Sequence, residues 1–106
     1  MLRTKDSKVA KLLKKRIQAI TQVKRMIVFG SRARGTATNE SDLDVFIELH
    51  ELTPALRKEI YHIAWEIGFD HGIVIFPFLT STTLLVNSPL IANPIINAIE
   101  KEGVAV

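Results

Sequence analysis

Two aspartates, Asp42 and Asp44, stand two residues apart and lead into an apolar run, Val45-Phe46-Ile47. Because side chains two apart on a β-strand point to the same face, we expect both carboxylates to converge on one point. Two like charges held so close repel each other unless a cation neutralises them, and Mg²⁺ prefers oxygen ligands of this kind. The pair therefore predicts a magnesium site. The alternative is a solvated pair of aspartates at the entry of a strand.

A glycine and a serine, Gly30-Ser31, follow a second apolar run at residues 26–29. Glycine lets backbone N–H groups approach an anion closely, and the start of a following helix would add the positive end of its dipole. This segment therefore predicts a cradle for phosphate. Arg32 and Arg34 flank the cradle, where a guanidinium could pair with phosphate, and plain solvation of both side chains is the equally open alternative.

Together, a phosphate cradle and a metal-binding aspartate pair suit the transfer of a nucleotidyl group from a nucleoside triphosphate. The metal would neutralise developing charge and orient the attacking and leaving oxygens. Two other loops are excluded. No lysine follows Gly35 as a Walker-type phosphate loop requires, and Phe46 and Ile47 stand where an EF-hand needs an oxygen ligand and a glycine.

Gly30-Ser31, Gly35 and Ser41-Asp42-Leu43-Asp44 resemble the signature of the DNA polymerase beta-like nucleotidyltransferase superfamily, and the short chain resembles its minimal nucleotidyltransferase (MNT) branch. The motif occupies residues 30–44, and a weaker likeness, including Glu102-Gly103-Val104, covers most of the chain. The resemblance implies that Gly30 and Ser31 hold the triphosphate and that Asp42 and Asp44 bind the catalytic Mg²⁺. It also implies transfer of AMP from ATP to a hydroxyl acceptor.

The chain departs from the family pattern at one point. Members with full activity usually carry a third carboxylate on a later strand, which acts on the attacking hydroxyl, whereas the later strand expected here, residues 73–78, contains no acid. Asp70 precedes that strand and Glu66 lies on the helix before it. We therefore predict no third carboxylate within metal-ligand reach of the aspartate pair, so that transfer is slow or depends on a partner.

The missing acid motivates a second hypothesis about function. Minimal nucleotidyltransferases, which this chain resembles, often pair with a helical HEPN protein as a toxin–antitoxin couple, and some modify a tyrosine of that partner. The chain would then be a catalytically weak or inactive antitoxin that binds a HEPN-type toxin. The acceptor of an active enzyme (protein, RNA or small molecule) and the oligomeric state stay open.

The net charge of +3 conceals an uneven distribution of charge. Eleven of the 14 lysines and arginines lie within residues 1–34, beside a single acid, Asp6, while residues 35–106 hold three basic and ten acidic residues. A basic amino-terminal helix can contact nucleic acid, nucleotide phosphates or an acidic partner, and a solvated helix face is the alternative.

Length and composition bound the remaining possibilities. With 106 residues, we expect one nucleotidyltransferase domain over residues 1–106. No apolar run approaches the length of a membrane span, so we expect no membrane partner. The amino end is polar and lysine-rich rather than a signal peptide, and there is no cysteine. A cytoplasmic location is therefore expected.

The elements that must position the site alternate between strand and helix, which predicts an α/β domain with a small mixed sheet flanked by helices, the nucleotidyltransferase fold. Residues 36–40 are small and polar and predict a mobile loop over the site. The predicted elements are a helix from Asp6 or Ser7 to about 21–24, strands at 26–29 and 43–49, a helix from Thr53-Pro54 to Gly68, a strand at 73–78, and a last helix that begins at Ser88-Pro89 or Asn93-Pro94 and ends at Gly103.

Several finer expectations accompany these elements. Pro77 predicts an edge position or a bulge for the third strand, and residues 80–83 predict a loop. Residues 104–106 either add an edge strand or fray. Tyr61 and Trp65 lie one turn apart, and we expect both side chains at the edge of the core. The alternative is that they stack on a base or contact a partner. The buried stripe of the first helix is expected to contain Val9, Leu12, Leu13, Ile17 and Ile20.

Overall fold

The computed structural model describes residues 2–87 and 94–106. These residues form five helices and four strands. In chain order they are α1 (Thr4–Gln18), β1 (Val23–Phe29), α2 (Gly30–Arg34), β2 (Leu43–Leu49), α3 (Pro54–His71), β3 (Ile75–Ser81), α4 (Thr82–Asn87), α5 (Pro94–Glu102) and β4 (Val104–Ala105).

The strands form one mixed sheet in the order β3-β2-β1-β4. β1 runs antiparallel to both β2 and β4, while β2 and β3 are parallel. The predicted fold class is therefore confirmed. Two edge predictions are confirmed as well: β3, which contains Pro77, lies at one edge, and β4 at the other.

Side chains alternate across the sheet, so that each face buries its own apolar cluster. The face that packs against α1 and α3 contributes residues such as Val28, Val45 and Ile47. On the opposite face Phe46 packs with Leu85 of α4 and with residues of α5. Asp44 is in phase with Phe46 along β2, so it faces away from the larger cluster.

The first helix differs from its prediction at both ends. α1 begins at Thr4 without a side-chain cap, so neither Asp6 nor Ser7 caps it, and it ends at Gln18. Leu12 and Ile20 are exposed, against expectation. The buried residues of α1 recur at intervals that keep them on one face of the helix, and they are Asp6, Val9, Ala10, Leu13 and Ile17.

The third helix begins as predicted, because the Thr53 hydroxyl accepts a hydrogen bond from the backbone N–H of Leu56 at 3.1 Å. Its predicted end at Gly68 is wrong: α3 continues to His71, and Gly72 ends it in the left-handed conformation. Gly68 instead allows close packing, since a Cβ there would overlap the carbonyl oxygen of Ile73.

The third strand is displaced along the chain from its predicted position. β3 begins at Ile75 and continues through Thr80 and Ser81, and α4 follows where a loop was expected. The Ser81 hydroxyl accepts from the backbone N–H of Leu84 at 3.2 Å, so a segment rich in hydroxyl groups caps a helix instead of forming a loop.

The last helix begins at Pro94 and ends before Gly103, whose N–H donates to Ile99 at 2.9 Å. The alternative start at Ser88-Pro89 lies outside the described residues. Within residues 2–87 and 94–106 no helix has the length and apolar character needed to cross a membrane.

Candidate active site

The antiparallel pairing of β1 and β2 brings the two halves of the sequence motif together. Phe29, the last residue of β1, pairs with Asp44 near the start of β2, so Gly30 follows directly beside that aspartate. Gly30 has a φ of 74°, a conformation that favours glycine. A Cβ at Gly30 would overlap Oδ2 of Asp44, so the absence of a side chain permits this close approach.

The two carboxylates interact electrostatically. Asp42 is exposed and Asp44 is partly buried. Burial raises the pKa of the Asp44 carboxyl above its ordinary value, the negative charge of Asp42 raises this pKa further, and the positive charge of Arg34 partly offsets both effects. A cation placed between the carboxylates would relieve their repulsion.

On β3, the position that pairs with Asp44 holds an apolar residue. Phe76 is the register partner of Asp44 in the parallel pairing of β2 and β3, and its side chain is 50% exposed. Asp70 lies in the last turn of α3, before β3 begins, and Glu66 pairs with Arg16 at 3.0 Å. No group of three or more histidine, cysteine, aspartate or glutamate residues is arranged to hold a metal in the described part of the chain.

A pair of carboxylates still fits Mg²⁺. This ion is usually held by one or two carboxylates together with oxygens of the substrate phosphates, and it keeps several water ligands. Asp42 and Asp44 supply hard oxygen ligands, and the carboxylate of Asp44 lies against the backbone of Gly30, where the first N–H groups of α2 can meet a phosphate. The donor set therefore fits a magnesium ion whose coordination a bound triphosphate completes.

Gly30 and Ser31 form the first turn of α2, whose backbone N–H groups have no partners inside the helix. The Ser31 hydroxyl makes no hydrogen bond to any residue in the ranges 2–87 and 94–106 and remains available as a donor. The helix ends at Gly35, whose φ is 79°. These groups provide hydrogen-bond donors for an anion on the side of Asp44.

The two arginines of α2 have different surroundings. Arg34 is half-exposed, lies 3.6 Å from a carboxylate oxygen of Glu102, and its charge acts on Asp44. Arg32 is only 6% exposed, and its guanidinium donates to Asp6 at 2.8 Å and twice to the carbonyl of Ser41. Neither alternative considered for Arg32, phosphate contact or solvation, describes this buried network.

The partner of Arg32 was overlooked in the sequence, although one signal pointed to it. Asp6 is the single acid among the eleven basic residues of the first 34 positions, and it is 1% exposed in the first turn of α1. An isolated acid in a basic segment is a candidate for a buried ion pair. Its partner could not be identified from spacing, because 26 residues separate Asp6 from Arg32.

An exposed aromatic stripe, Tyr61, Trp65 and Phe69, runs along one side of α3. The rings of Trp65 and Phe69 stack with centroids 5.5 Å apart, and Trp65 is 64% exposed, so its predicted place at the edge of the core is wrong. Beside the stripe lies a groove of about 430 Å³ that reaches Val74 at the entry to β3. A second groove, of about 210 Å³, is lined by both Tyr61 of the stripe and Phe76, the register partner of Asp44.

Comparison of sequences identifies related proteins. The profile of the nucleotidyltransferase domain family matches residues 7–104. A protein of Methanocaldococcus jannaschii named "Putative protein adenylyltransferase" is 37% identical over 79 residues, which is 72% of this chain and 80% of that protein.

Comparison of structures identifies the same fold. The toxin–antitoxin complex MntA-HpeT, in a mutant form, contains a chain with a TM-score of 0.58 and 19% identity, aligned over 94% of this chain and 70% of that one. A toxin–antitoxin structure with AMP-PNP gives a TM-score of 0.58 at 21% identity, with the same coverage. A nucleotidyltransferase structure from Sulfolobus solfataricus gives 0.54 at 17% identity, over 92% of this chain and 76% of that one.

Proposed function

The chain belongs to the nucleotidyltransferase domain family, and on that premise we propose that it transfers AMP from ATP to a hydroxyl acceptor. The acceptor oxygen forms a bond to the α-phosphorus, the bond from that phosphorus to the bridging oxygen breaks, and pyrophosphate leaves. The acceptor proton passes to a base. The observation that carries this proposal is the placement of Asp44 against Gly30 where β1 pairs with β2, with Asp42 close enough for its charge to act on Asp44.

Each residue of the site has a distinct role in this proposal. Asp42 and Asp44 hold Mg²⁺, which when bound neutralises phosphate charge and orients the attacking and leaving oxygens. Gly30 supplies a backbone N–H and Ser31 supplies a hydroxyl donor for the triphosphate. Arg34, whose charge already acts on Asp44, lies close enough to the site to attract a phosphate.

Phe76 occupies the register position beside Asp44 on β3, and its side chain cannot take the acceptor proton. A positioned general base commonly contributes about a hundred- to ten-thousand-fold in rate. We therefore expect transfer by the isolated chain to be slow, with either water or a group of the acceptor or of a partner taking the proton.

A second function, binding to a HEPN-type toxin as its antitoxin, is supported by the aromatic stripe. Large apolar side chains exposed together commonly mark a surface that another protein covers. Tyr61, Trp65 and Phe69 meet that description. The structural neighbours from toxin–antitoxin complexes share the fold and make this class of partner the one to test first.

Fluorescence can test this second function, because Trp65 is the single tryptophan of the chain. A HEPN reading frame beside the gene would supply the partner. If the stripe binds that partner, the emission of Trp65 shifts to shorter wavelength on mixing, and Trp65→Ser weakens the complex. Unchanged emission and equal affinity of the variant would argue against this use of the stripe.

Labelled ATP tests the enzymatic function and identifies the acceptor. The protein is incubated with α-labelled ATP and Mg²⁺ in cell lysate, with Asp42→Asn and Asp44→Asn as controls. Label on a protein, an RNA or a small molecule that depends on both aspartates would name the acceptor class. An RNA acceptor would agree with the exposed lysines of the amino-terminal helix, Lys5, Lys8, Lys11 and Lys15.

A further inference from the structure

The carbonyl of Ser41 is the acceptor of two hydrogen bonds from one buried guanidinium. Arg32 donates to it through Nε at 3.0 Å and through a terminal nitrogen at 2.7 Å. The same terminal nitrogen lies 3.5 Å from the carbonyl of Asn39. The other terminal nitrogen donates to Asp6 at 2.8 Å. Arg32 thus joins α1, α2 and the segment that precedes β2.

The Ser41 carbonyl matters because it belongs to the same planar peptide unit as the N–H of Asp42. Two donors in the rigid fork of a guanidinium fix the direction of that carbonyl, and therefore the orientation of the peptide that begins Asp42. On the other side of Asp42, the N–H of Leu43 donates to Val74 at 2.8 Å. Asp42 is exposed, yet both of its neighbours are held by hydrogen bonds.

The remaining hydrogen bonds of this segment come mostly from within the segment itself and are mostly exposed. Arg3 donates to the carbonyl of Ala37 at 2.6 Å, and the N–H of Thr38 donates to the Ser41 hydroxyl at 2.9 Å. Among the described residues, Arg32 is the only one whose buried side chain donates more than one hydrogen bond to residues 39–41. It is therefore the main tether of residues 39–41.

The network is poorly arranged for stability alone. Asp6 and Arg32 are both almost fully buried, and taking two charges out of water costs more than a single ion pair usually returns. The second carboxylate oxygen of Asp6 is buried without a hydrogen-bond partner among the described residues. An apolar pair of similar volume would fill this space at no loss of stability, but it would leave the Ser41 carbonyl without its tether.

We propose that Arg32, held by Asp6, is a positioning residue that fixes the orientation of Asp42 for metal binding and does not itself contact phosphate. This inference rests on the proposed function, because it assigns Asp42 to the metal. Residues that orient metal ligands typically change metal affinity or activity by about 10- to 100-fold when they are replaced.

Binding of Mn²⁺ alone, followed by electron paramagnetic resonance, tests the inference in the full chain. The double variant Asp6→Leu/Arg32→Met removes both buried charges and should keep the wild-type melting temperature or exceed it. We expect its Mn²⁺ affinity to fall about tenfold. Hydrogen exchange at residues 39–43 should also become faster in the absence of metal. Arg16→Met, which removes an ion pair of α1 distant from this segment, is the matched control and should bind Mn²⁺ as the wild type does.

Arg32→Lys separates positioning from charge pairing. Lysine keeps a positive charge for Asp6 but lacks the rigid fork that grips the Ser41 carbonyl. A role limited to charge pairing would be rescued by lysine, whereas we expect this variant also to lose affinity for Mn²⁺. Wild-type Mn²⁺ affinity and hydrogen exchange in the double variant or in Arg32→Lys would overturn the inference.

The same titrations show which proposal has failed. If the wild type binds Mn²⁺ and Asp42→Asn abolishes binding, the metal site stands, and the Arg32 variants test positioning alone. If Asp42→Asn binds Mn²⁺ as the wild type does, the site assignment is wrong and the positioning role falls with it.

Discussion

The carboxylate of Asp44 lies in the space that a side chain on Gly30 would occupy. The contact joins the end of β1 to the start of β2, and in the proposed function it joins the residues assigned to phosphate to those assigned to the metal. Because Gly30 also has a positive φ, its replacement would disturb both the backbone and the aspartate. This relationship leads to the first prediction.

Gly30→Ala should weaken binding of a magnesium–nucleotide complex by about tenfold or more, because the new methyl group displaces a ligand carboxylate. Backbone strain alone should cost about 1 kcal/mol of stability. Gly72→Ala is the matched control: its φ is 65° and nothing lies within 4 Å of an added Cβ, so it carries the backbone strain without displacing a carboxylate. Calorimetric binding and thermal unfolding of both variants check this. Equal loss of nucleotide affinity in the two would contradict it.

Phe76→Asp should increase transferase activity. Register partners on adjacent parallel strands point to the same face, so a carboxylate at this position would stand beside Asp44. We expect a rate increase of about tenfold or more, the lower part of what a general base contributes. The neutral Phe76→Asn variant controls for the lost ring. An aspartate variant no faster than the asparagine variant, measured as release of pyrophosphate, would show that this position does not serve the reaction.

Asp44→Asn should stabilise the metal-free protein at neutral pH. The pKa of Asp44 is higher in the folded protein than in the unfolded chain. The charged carboxylate therefore opposes folding, and this effect is complete at pH values above the folded pKa. We expect a gain of about 0.5 kcal/mol, since the pair is partly solvated. The gain should vanish below the ordinary pKa of aspartate, where both states are protonated. Thermal unfolding over a series of pH values measures this, and a variant less stable at every pH would refute it.

Glu48→Gln should destabilise the protein near neutral pH. Burial alone would raise the pKa of Glu48, but hydrogen bonds from Arg25 and Thr82 and the nearby positive charges hold this pKa below its ordinary value. Replacing the charged acceptor should cost about 1–3 kcal/mol.

The effect of Glu48 depends on pH in the opposite sense to that of Asp44. Because the pKa of Glu48 is lower in the folded protein than in the unfolded chain, its charge stabilises the fold at pH values above the unfolded pKa. This stabilisation is lost as the pH falls through the folded pKa. Urea unfolding at neutral and acid pH checks the prediction. Glu66→Gln, which breaks an exposed pair with Arg16, is the control and should cost less than about 1 kcal/mol.

Local spacing in the sequence was sufficient to predict that Gly30 and the aspartates come together, whereas their binding roles stay predictions. Two aspartates in phase on one strand and a glycine at the end of another need only one antiparallel pairing to meet, and β1 and β2 supply it. The mixed sheet was predictable for a similar reason, because the strands are separated by clear helical patterns.

Contacts between distant residues explain what the sequence did not reveal. The buried pair of Asp6 and Arg32 depends on how α1 packs, and a polar residue in a basic segment looks solvated without that knowledge. Thr80 also looked like part of a loop, yet it pairs with Glu48 on β2 and is fully buried. In both places tertiary packing overrides the local preference of a polar side chain.

The central claim is that Asp42 and Asp44 bind a metal that holds a nucleotide against Gly30 and Ser31. Calorimetric titration with a non-hydrolysable ATP analogue, with and without Mg²⁺, tests it most directly. We predict that the wild type binds the analogue only with Mg²⁺ and that Asp42→Asn and Asp44→Asn each weaken binding by at least about tenfold. Binding that is equally tight in both variants, or that does not depend on Mg²⁺, would contradict the account.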